Sequence, residues 1–384
     1  MQRMKTTLLG EITPRQFLRE YWQKKPLLVR QAIAGFQGLL AKPDLLRLAT
    51  DGDVESRLVT RQKSNWQMQR GPFTKKQMTQ LPVGDWTLLV QDLNHFVAAG
   101  RDLLRQFSFI PYARLDDLMV SYAVPGGGVG PHFDSYDVFL LQGAGERRWR
   151  ISAQRDLTLA PDAPLKILKS FKAQQEWVLR PGDMLYLPPN IAHEGVAQSE
   201  CWTYSIGFRA PSAQELAFNF LNFLQDELQI EGRYRDPDLR LPAHPGEIAK
   251  AMVRQTRRML SKLSWNDETC ARFLGIYLTE PKPTVFFTPP QQALSPAQFR
   301  RELSRYGIAL DLKSRMLCHK RWIFINGECI SAPTAAAGVL RELSDRWMIV
   351  PNSAADALSL NYLREWYDNG YLALRRENDN ARHP

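Results

Sequence analysis

Cysteine is scarce in this chain: four in 384 residues, at Cys201, Cys270, Cys318 and Cys329, with no C-x-x-C pair among them. That spacing argues against a zinc ribbon and against a disulfide framework, and it fits a reducing cytoplasm. No apolar run approaches the roughly 18 residues that a membrane helix needs, so no membrane role is expected. Met1-Gln2-Arg3-Met4-Lys5 is not followed by the apolar core of a secretory signal. Acidic residues are outnumbered, 40 against 50 Lys and Arg, which leaves a net charge of +10. A basic balance favours anionic partners such as RNA or a ribonucleoprotein particle, though a solvated basic surface would look the same.

What is present has a clear order along the chain. Thr13 and Pro14 open a helix carrying Phe17, Leu18, Tyr21 and Trp22, and Pro26–Arg30 reads as a strand. A helix is expected over Pro43–Thr50, strands near Arg57–Thr60, Trp66–Gln69 and Trp86–Val90, and a helix over Phe96–Phe107. From Leu115 to Phe208 the pattern is β: Asp117–Val124, His132–Gln142, Arg147–Ile151, Glu176–Arg180, Met184–Leu187 and Trp202–Phe208, separated by Gly/Pro turns. Many short strands so punctuated predict a sandwich or a double-stranded β-helix. Helical periodicity follows over Glu215–Gln229, Pro245–Leu263 and Asn266–Leu278. The first of these carries enough aromatic surface to suggest a helix-to-helix homodimer, with intrachain packing as the alternative. Beyond a proline-rich linker, 280–290, come a helix capped by Ser295 and stopped by Gly307, a hairpin on Asn326-Gly327, and helices over Thr334–Leu343 and Ala354–Arg375. Helices around a small hairpin suggest a winged-helix-like module.

The chemistry concentrates in Pro131-His132-Phe133-Asp134 and, about sixty residues later, His193. Two imidazoles and one carboxylate in an H-x-D…H arrangement make the facial ligand set of non-haem Fe(II), with coordination positions left open. Side chains two apart on a strand share a face, so His132 and Asp134 can reach one metal, and Tyr136 follows on the same side. On the next strand Arg147, Trp149 and Ile151 share a face while Arg148 and Arg150 take the other. An inward arginine needs an anion, either the distal carboxylate of a dicarboxylate co-substrate or a structural Asp or Glu. Asp117, Met119, Ser121 and Ala123 share a face, and Asp117 suits a cationic side chain. Asp116 and Asp137 read as outward or structural. Thr203 and Ser205 are candidate hydroxyl donors. The glycine-rich 125–131 segment lets backbone bend closely beside the metal strand. His95, His244, His319 and His383 read as structural or surface residues.

Residues 117–208 resemble a JmjC-type double-stranded β-helix. More narrowly, Val124–Phe139, Pro181–Pro189, Asp117–Ser121, Tyr204–Pro211 and Phe17–Pro26 resemble the bacterial ribosomal oxygenases. The resemblance implies an α+β chain: a JmjC (cupin-like) catalytic domain over 1–211 with its barrel core at 115–208, a helical dimerisation region over 212–280, and a winged-helix-like domain over 285–384. It further implies Fe(II), with 2-oxoglutarate and O2 as co-substrates, and hydroxylation of an arginine in the large-subunit ribosomal protein L-sixteen, with succinate and CO2 formed. Ribosomal RNA contact would accompany such a substrate. Residue by residue, His132, Asp134 and His193 would hold iron and Arg147 the co-substrate carboxylate. Asp117 and Tyr136 would hold the guanidinium, with Met119 and Ser205 lining the pocket. Ala123 departs from relatives that carry serine near the co-substrate, leaving Thr203 or Ser205 as substitutes. A JmjC-type demethylase and a cupin-fold ligand-binding regulator are the rival readings.

Overall fold

The computed structural model describes residues 8–375 except Ser64, Val83, Asp162 and 353–355. Met1–Lys5, His383 and the expected helix start at Ala354 lie outside the described residues. The first part of the chain runs α1 (Pro14–Glu20), β1 (Leu27–Val29), α2 (Lys42–Leu48), β2 (Ser56–Gln62), β3 (Asn65–Arg70), α3 (Lys75–Thr79), β4 (Asp85–Val90) and α4 (Ala98–Arg105). Thr13 caps α1 as expected, its side chain accepting from the Gln16 N–H at 3.1 Å.

Seven more strands complete the barrel: β5 (Leu115–Ala123), β6 (Val138–Gln142), β7 (Arg147–Ser152), β8 (Gln175–Leu179), β9 (Met184–Leu187), β10 (Ala192–Ala197) and β11 (Cys201–Phe208). Together the eleven strands β1–β11 form an eight-stranded sheet in the order β1-β9-β6-β11-β5-β4-β2-β3 and a three-stranded sheet, β10-β7-β8. β6 shows why its sequence is apolar throughout. Val138 and Leu140 pack with Trp149, Ile151 and Leu185 on one face, and Phe139 and Leu141 join the helix-side core with Phe17, Phe107 and Phe208 on the other. Burying one such side chain contributes roughly 1.5–3 kcal/mol. Asp137 is structural, as read: fully buried, it accepts from the Tyr186 hydroxyl at 2.6 Å and from Gln23 Nε2 at 2.9 Å.

Two expectations need correction. The strand expected over His132–Gln142 begins only at Val138, because the chain crosses between sheets at this point. His132 forms an isolated bridge to His193 of β10, whereas Val138 pairs with Leu187 of β9 in the large sheet. β10 itself was not anticipated; its Ala-His-Glu-Gly-Val-Ala run carries little alternation.

The remainder is helical and then mixed: α5 (Ala213–Glu227), α6 (Lys250–Leu260), α7 (Asp267–Thr279), α8 (Pro296–Tyr306), β12 (Ile308–Leu310), β13 (Met316–His319), β14 (Trp322–Ile325), β15 (Glu328–Ser331), α9 (Thr334–Arg346), β16 (Met348–Ile349), α10 (Ala357–Asp368) and β17 (Leu372–Leu374). Asn326 and Gly327 both take positive φ, 48° and 85°, in the tight turn joining β14 to β15. The helix expected over Ala354–Arg375 instead stops at Asp368. Gly370, at φ 77°, turns the chain so that β17 can pair with β12. Among the described residues no helix is long and apolar enough to cross a membrane, and all four cysteines are free.

Candidate active site

The bridge between His132 and His193 does the positioning at the metal end. Each backbone N–H donates to the other residue's carbonyl, at 2.9 and 2.7 Å, which brings the ring centroids to 4.2 Å. Asp134 follows two residues on, its carbonyl held by the Asn190 N–H at 2.7 Å. The ligand atoms of His132, Asp134 and His193 all lie within 4.8 Å of one another, and His193 Nε2 is 3.6 Å from Asp134 Oδ2.

The tautomers follow from hydrogen bonding. His132 Nδ1 lies 2.9 Å from the Gly130 carbonyl and His193 Nδ1 2.9 Å from the Ile191 carbonyl. A carbonyl only accepts, so each Nδ1 carries the proton and each Nε2 presents a lone pair. Burial, reinforced by His132, lowers the His193 pKa to about 4, so its ring is neutral at pH 7. Two imidazoles and a carboxylate in this arrangement fit a divalent cation such as Fe(II). Glycine is required close by: a Cβ on Gly195 would stand 2.7 Å from the Trp149 ring, and one on Gly128 would stand 2.5 Å from the Gly195 carbonyl. The glycine-rich segment therefore works through close backbone approach, as its sequence suggested.

These groups open onto a cavity of about 210 Å³ that also takes in Asp117, Met119, Tyr136, Arg147 and Ser205. Arg147 is 4% exposed and donates through Nη1 to Ser121 Oγ at 3.0 Å, while its Nε and Nη2 are buried without a hydrogen-bond partner. No ion pair among the described residues involves Arg147, in contrast to Arg150, which pairs with Glu194 on the opposite face. Leaving guanidinium nitrogens buried and unpaired costs about 1–3 kcal/mol or more each. A carboxylate arriving from solution would satisfy both, and the Thr87 hydroxyl, likewise buried and unpartnered, lines the same space.

The other end of the cavity is acidic. Asp117, 6% exposed, accepts from Gln91 Nε2 and lies 3.5 Å from the Asp92 N–H. Burial, with Asp116 and Asp92 adding like charge, pushes its pKa up to about 7. A Cβ on Gly207 would come within 3.1 Å of Asp117 Oδ1, so the glycine keeps this carboxylate accessible. Tyr136 stands at the rim, 40% exposed, with burial raising its phenol pKa.

Of the residues expected here, Thr203 alone does not line the cavity; its hydroxyl donates to Gln142 Oε1 at 3.1 Å. The hydroxyl beside Arg147 belongs to Ser121, which faces Thr203 in the strand register. Sequence reasoning missed Gln91, Thr87 and Arg57, the last reaching Gln91 Oε1 at 2.9 Å and Met119 Sδ at 3.8 Å. The inward parity of Thr87 and Leu89 on β4, continued by Gln91 just past its end, was the available signal. His95 is buried outside this cavity, and His244 and His319 are exposed.

Two family descriptions match the chain: a JmjC domain over residues 102–216 and a ROXA-like winged helix over 262–373. The chain is 35% identical over 344 residues to the ribosomal protein uL16 3-hydroxylase of Escherichia coli, covering 89% of this chain and 91% of that protein. It is 39% identical over 234 residues to a probable ribosomal oxygenase of Haemophilus influenzae, covering 60% of this chain and 56% of that one. The solved structure of the E. coli ribosomal oxygenase YcfD in complex with cobalt and 2-oxoglutarate superposes with a TM-score of 0.82 at 33% identity. That match covers 95% of this chain and 99% of that one. With this fold and cavity, and with identity sustained over most of both chains, the protein belongs to the ribosomal oxygenases that join a JmjC domain to a ROXA-like winged helix.

Proposed function

We propose that this protein is an Fe(II)- and 2-oxoglutarate-dependent oxygenase that hydroxylates an arginine side chain of a large-subunit ribosomal protein, uL16 being the foremost candidate. The observation that carries the reading is one cavity with a three-ligand metal cluster, an anion-seeking arginine and a cation-seeking carboxylate. His132, Asp134 and His193 would hold the metal. Bound iron, with 2-oxoglutarate and O2, supplies the oxidising power to place an oxygen atom on a C–H bond, with succinate and CO2 as co-products.

The chain's own part is positioning. Arg147, backed by Ser121, fixes one end of the dicarboxylate through the two nitrogens it leaves open. Asp117 and Gln91 offer acceptors to a guanidinium, and Tyr136 flanks its approach. Trp149, 5.9 Å from the His193 ring, closes the metal end with apolar surface and excludes water. A demethylase would need an aromatic cage for a methylated cation. The aromatic rings lining this cavity are Tyr136 and Trp149 at its two ends, besides the two imidazoles, and Asp117 favours N–H donors. A ligand-binding regulator would have no use for three metal ligands beside the Arg147 seat.

Self-association through the helical region is part of this reading. Phe218 is 61% exposed and Leu221 64%, and no described residue of α6 is buried. The test incubates the iron-loaded protein, 2-oxoglutarate and air with unmodified ribosomal proteins. We expect one arginine to gain the mass of an oxygen atom by mass spectrometry. Succinate formation without any modified arginine would sink the substrate assignment.

A further inference from the structure

We infer that Arg315 of the winged-helix-like module and Lys282 of the linker are positioning residues for the protein substrate, because together they hold the segments that carry and flank Asp117. This inference rests on the hydroxylase reading above and assigns the C-terminal module a task within that reaction.

Beside the Gln91 side chain, two further neighbours set Asp117. One is Asp116, directly before it on β5. Arg315 donates through Nη2 to the Asp116 carbonyl and through Nη1 to the Leu115 carbonyl at 3.4 Å, and it lies 3.5 Å from Asp116 Oδ1. Arg209 reaches that same carboxylate oxygen at 3.2 Å. The other neighbour is Asp92, whose N–H faces Asp117 Oδ2 from a left-handed conformation at φ 51°. Lys282 Nζ grips both Asp92 oxygens, at 2.8 and 2.7 Å.

Three carboxylates thus stand together at the substrate end, and, beside Arg209 just past the end of β11, the cations that counter their repulsion, Arg315 and Lys282, come from outside the barrel. Arg315 is itself set by the wing. Its backbone N–H donates to Asn326 Oδ1 at 2.9 Å, and the Asn326 N–H returns to the Arg315 carbonyl at 3.1 Å. Gly327 donates to Thr279 Oγ1 at 3.1 Å, tying the same turn to α7. The Asn326-Gly327 hairpin, read in the sequence as part of a winged-helix-like module, here points its supporting residue at the catalytic domain. A path of contacts runs from that turn through Arg315 to Asp116 and the substrate carboxylate.

The experiment measures binding of a labelled arginine peptide from ribosomal protein uL16 by fluorescence anisotropy, and its KM and kcat in turnover. Arg315→Ala and Lys282→Met should each raise the peptide Kd and KM roughly tenfold, since small displacements of a positioned group have effects of that order or larger. The KM for 2-oxoglutarate should stay at its wild-type value, and Arg315→Lys should recover part of the loss. Arg101→Ala is the control. Arg101 joins the same two domains through the Leu310 and Asp311 carbonyls, at 2.6 and 2.8 Å, but contacts neither Asp116 nor Asp92. Its peptide Kd should match wild type. Wild-type peptide binding in both the Arg315 and Lys282 variants overturns the inference, and so does an equal loss in Arg101→Ala. If Arg315→Ala proves insoluble, the partly exposed Lys282 decides the matter alone. Failure of the hydroxylase reading looks different: the wild-type protein binds the peptide without modifying it.

Discussion

At the metal end of the cavity, three side chains come from two short stretches stitched together by reciprocal backbone hydrogen bonds. At the Asp117 end, a single carboxylate is set by residues from the stretch just after β4, from β5, the linker and the wing, spanning about half the chain. The His-Asp-His end is locally determined; the Asp117 end is assembled from distant segments. Metal chemistry tolerates little variation in ligand geometry, so its determinants stay close in sequence and register. Substrate recognition can be spread over distant segments, which ties it to how the domains sit.

The sharpest contrast should come from the proposed metal ligands. His132→Ala or Asp134→Ala should remove several kcal/mol of metal-dependent stabilisation, roughly a thousandfold or more in turnover. The same variants should lose Co(II) binding in calorimetry, and a variant with both intact would place the metal elsewhere. Next in size, Arg147→Met should raise the 2-oxoglutarate KM by about 10- to 150-fold, the range for hydrogen bonds to charged groups. Peptide affinity in that variant should stay near wild type, and joint loss of both would erase the division between the two ends.

Asp117 supplies the pH test. Its folded pKa, about 7, lies above the ordinary carboxylate value. Ionising it therefore destabilises the fold as pH rises through about 7, and a bound guanidinium offsets that by favouring the carboxylate. Peptide affinity should consequently rise with pH up to about 7 and level off above it. Asp117→Asn should bind roughly tenfold or more weakly at pH 8, the scale of a lost charge-assisted bond, with a flatter profile. An unchanged profile would mean that another group titrates. The smallest effect concerns the hydroxyls. Ser121→Ala should raise the 2-oxoglutarate KM a few-fold, whereas Thr203→Val should leave it alone and lower stability by about 1 kcal/mol.

The same division governs what could be read from the residues. His132, Asp134 and Tyr136 were placed by period two, and all three line the cavity although their segment is a crossing between sheets rather than a strand. All three side chains reach the cavity even though the chain bends at Ser135 and Tyr136 before β6 begins. Parity misled at Thr203, which shares the inward register of Ser121 yet spends its hydroxyl on Gln142. Strand parity tells which face a side chain takes and is silent on which neighbour it meets.

By itself the sequence picked out the cluster of His132, Asp134 and His193, the inward Arg147 and the succession of β, helical and mixed segments, because spacing and alternation are local and two-valued. Only the tertiary structure decided that Gln91 and Asp92 meet Asp117, that Ser121 supports Arg147, and that Arg315 reaches back across some two hundred residues to Asp116. Those contacts depend on how sheets and domains pack. Packing is set by the summed burial of many side chains, and no single stretch of sequence records that sum.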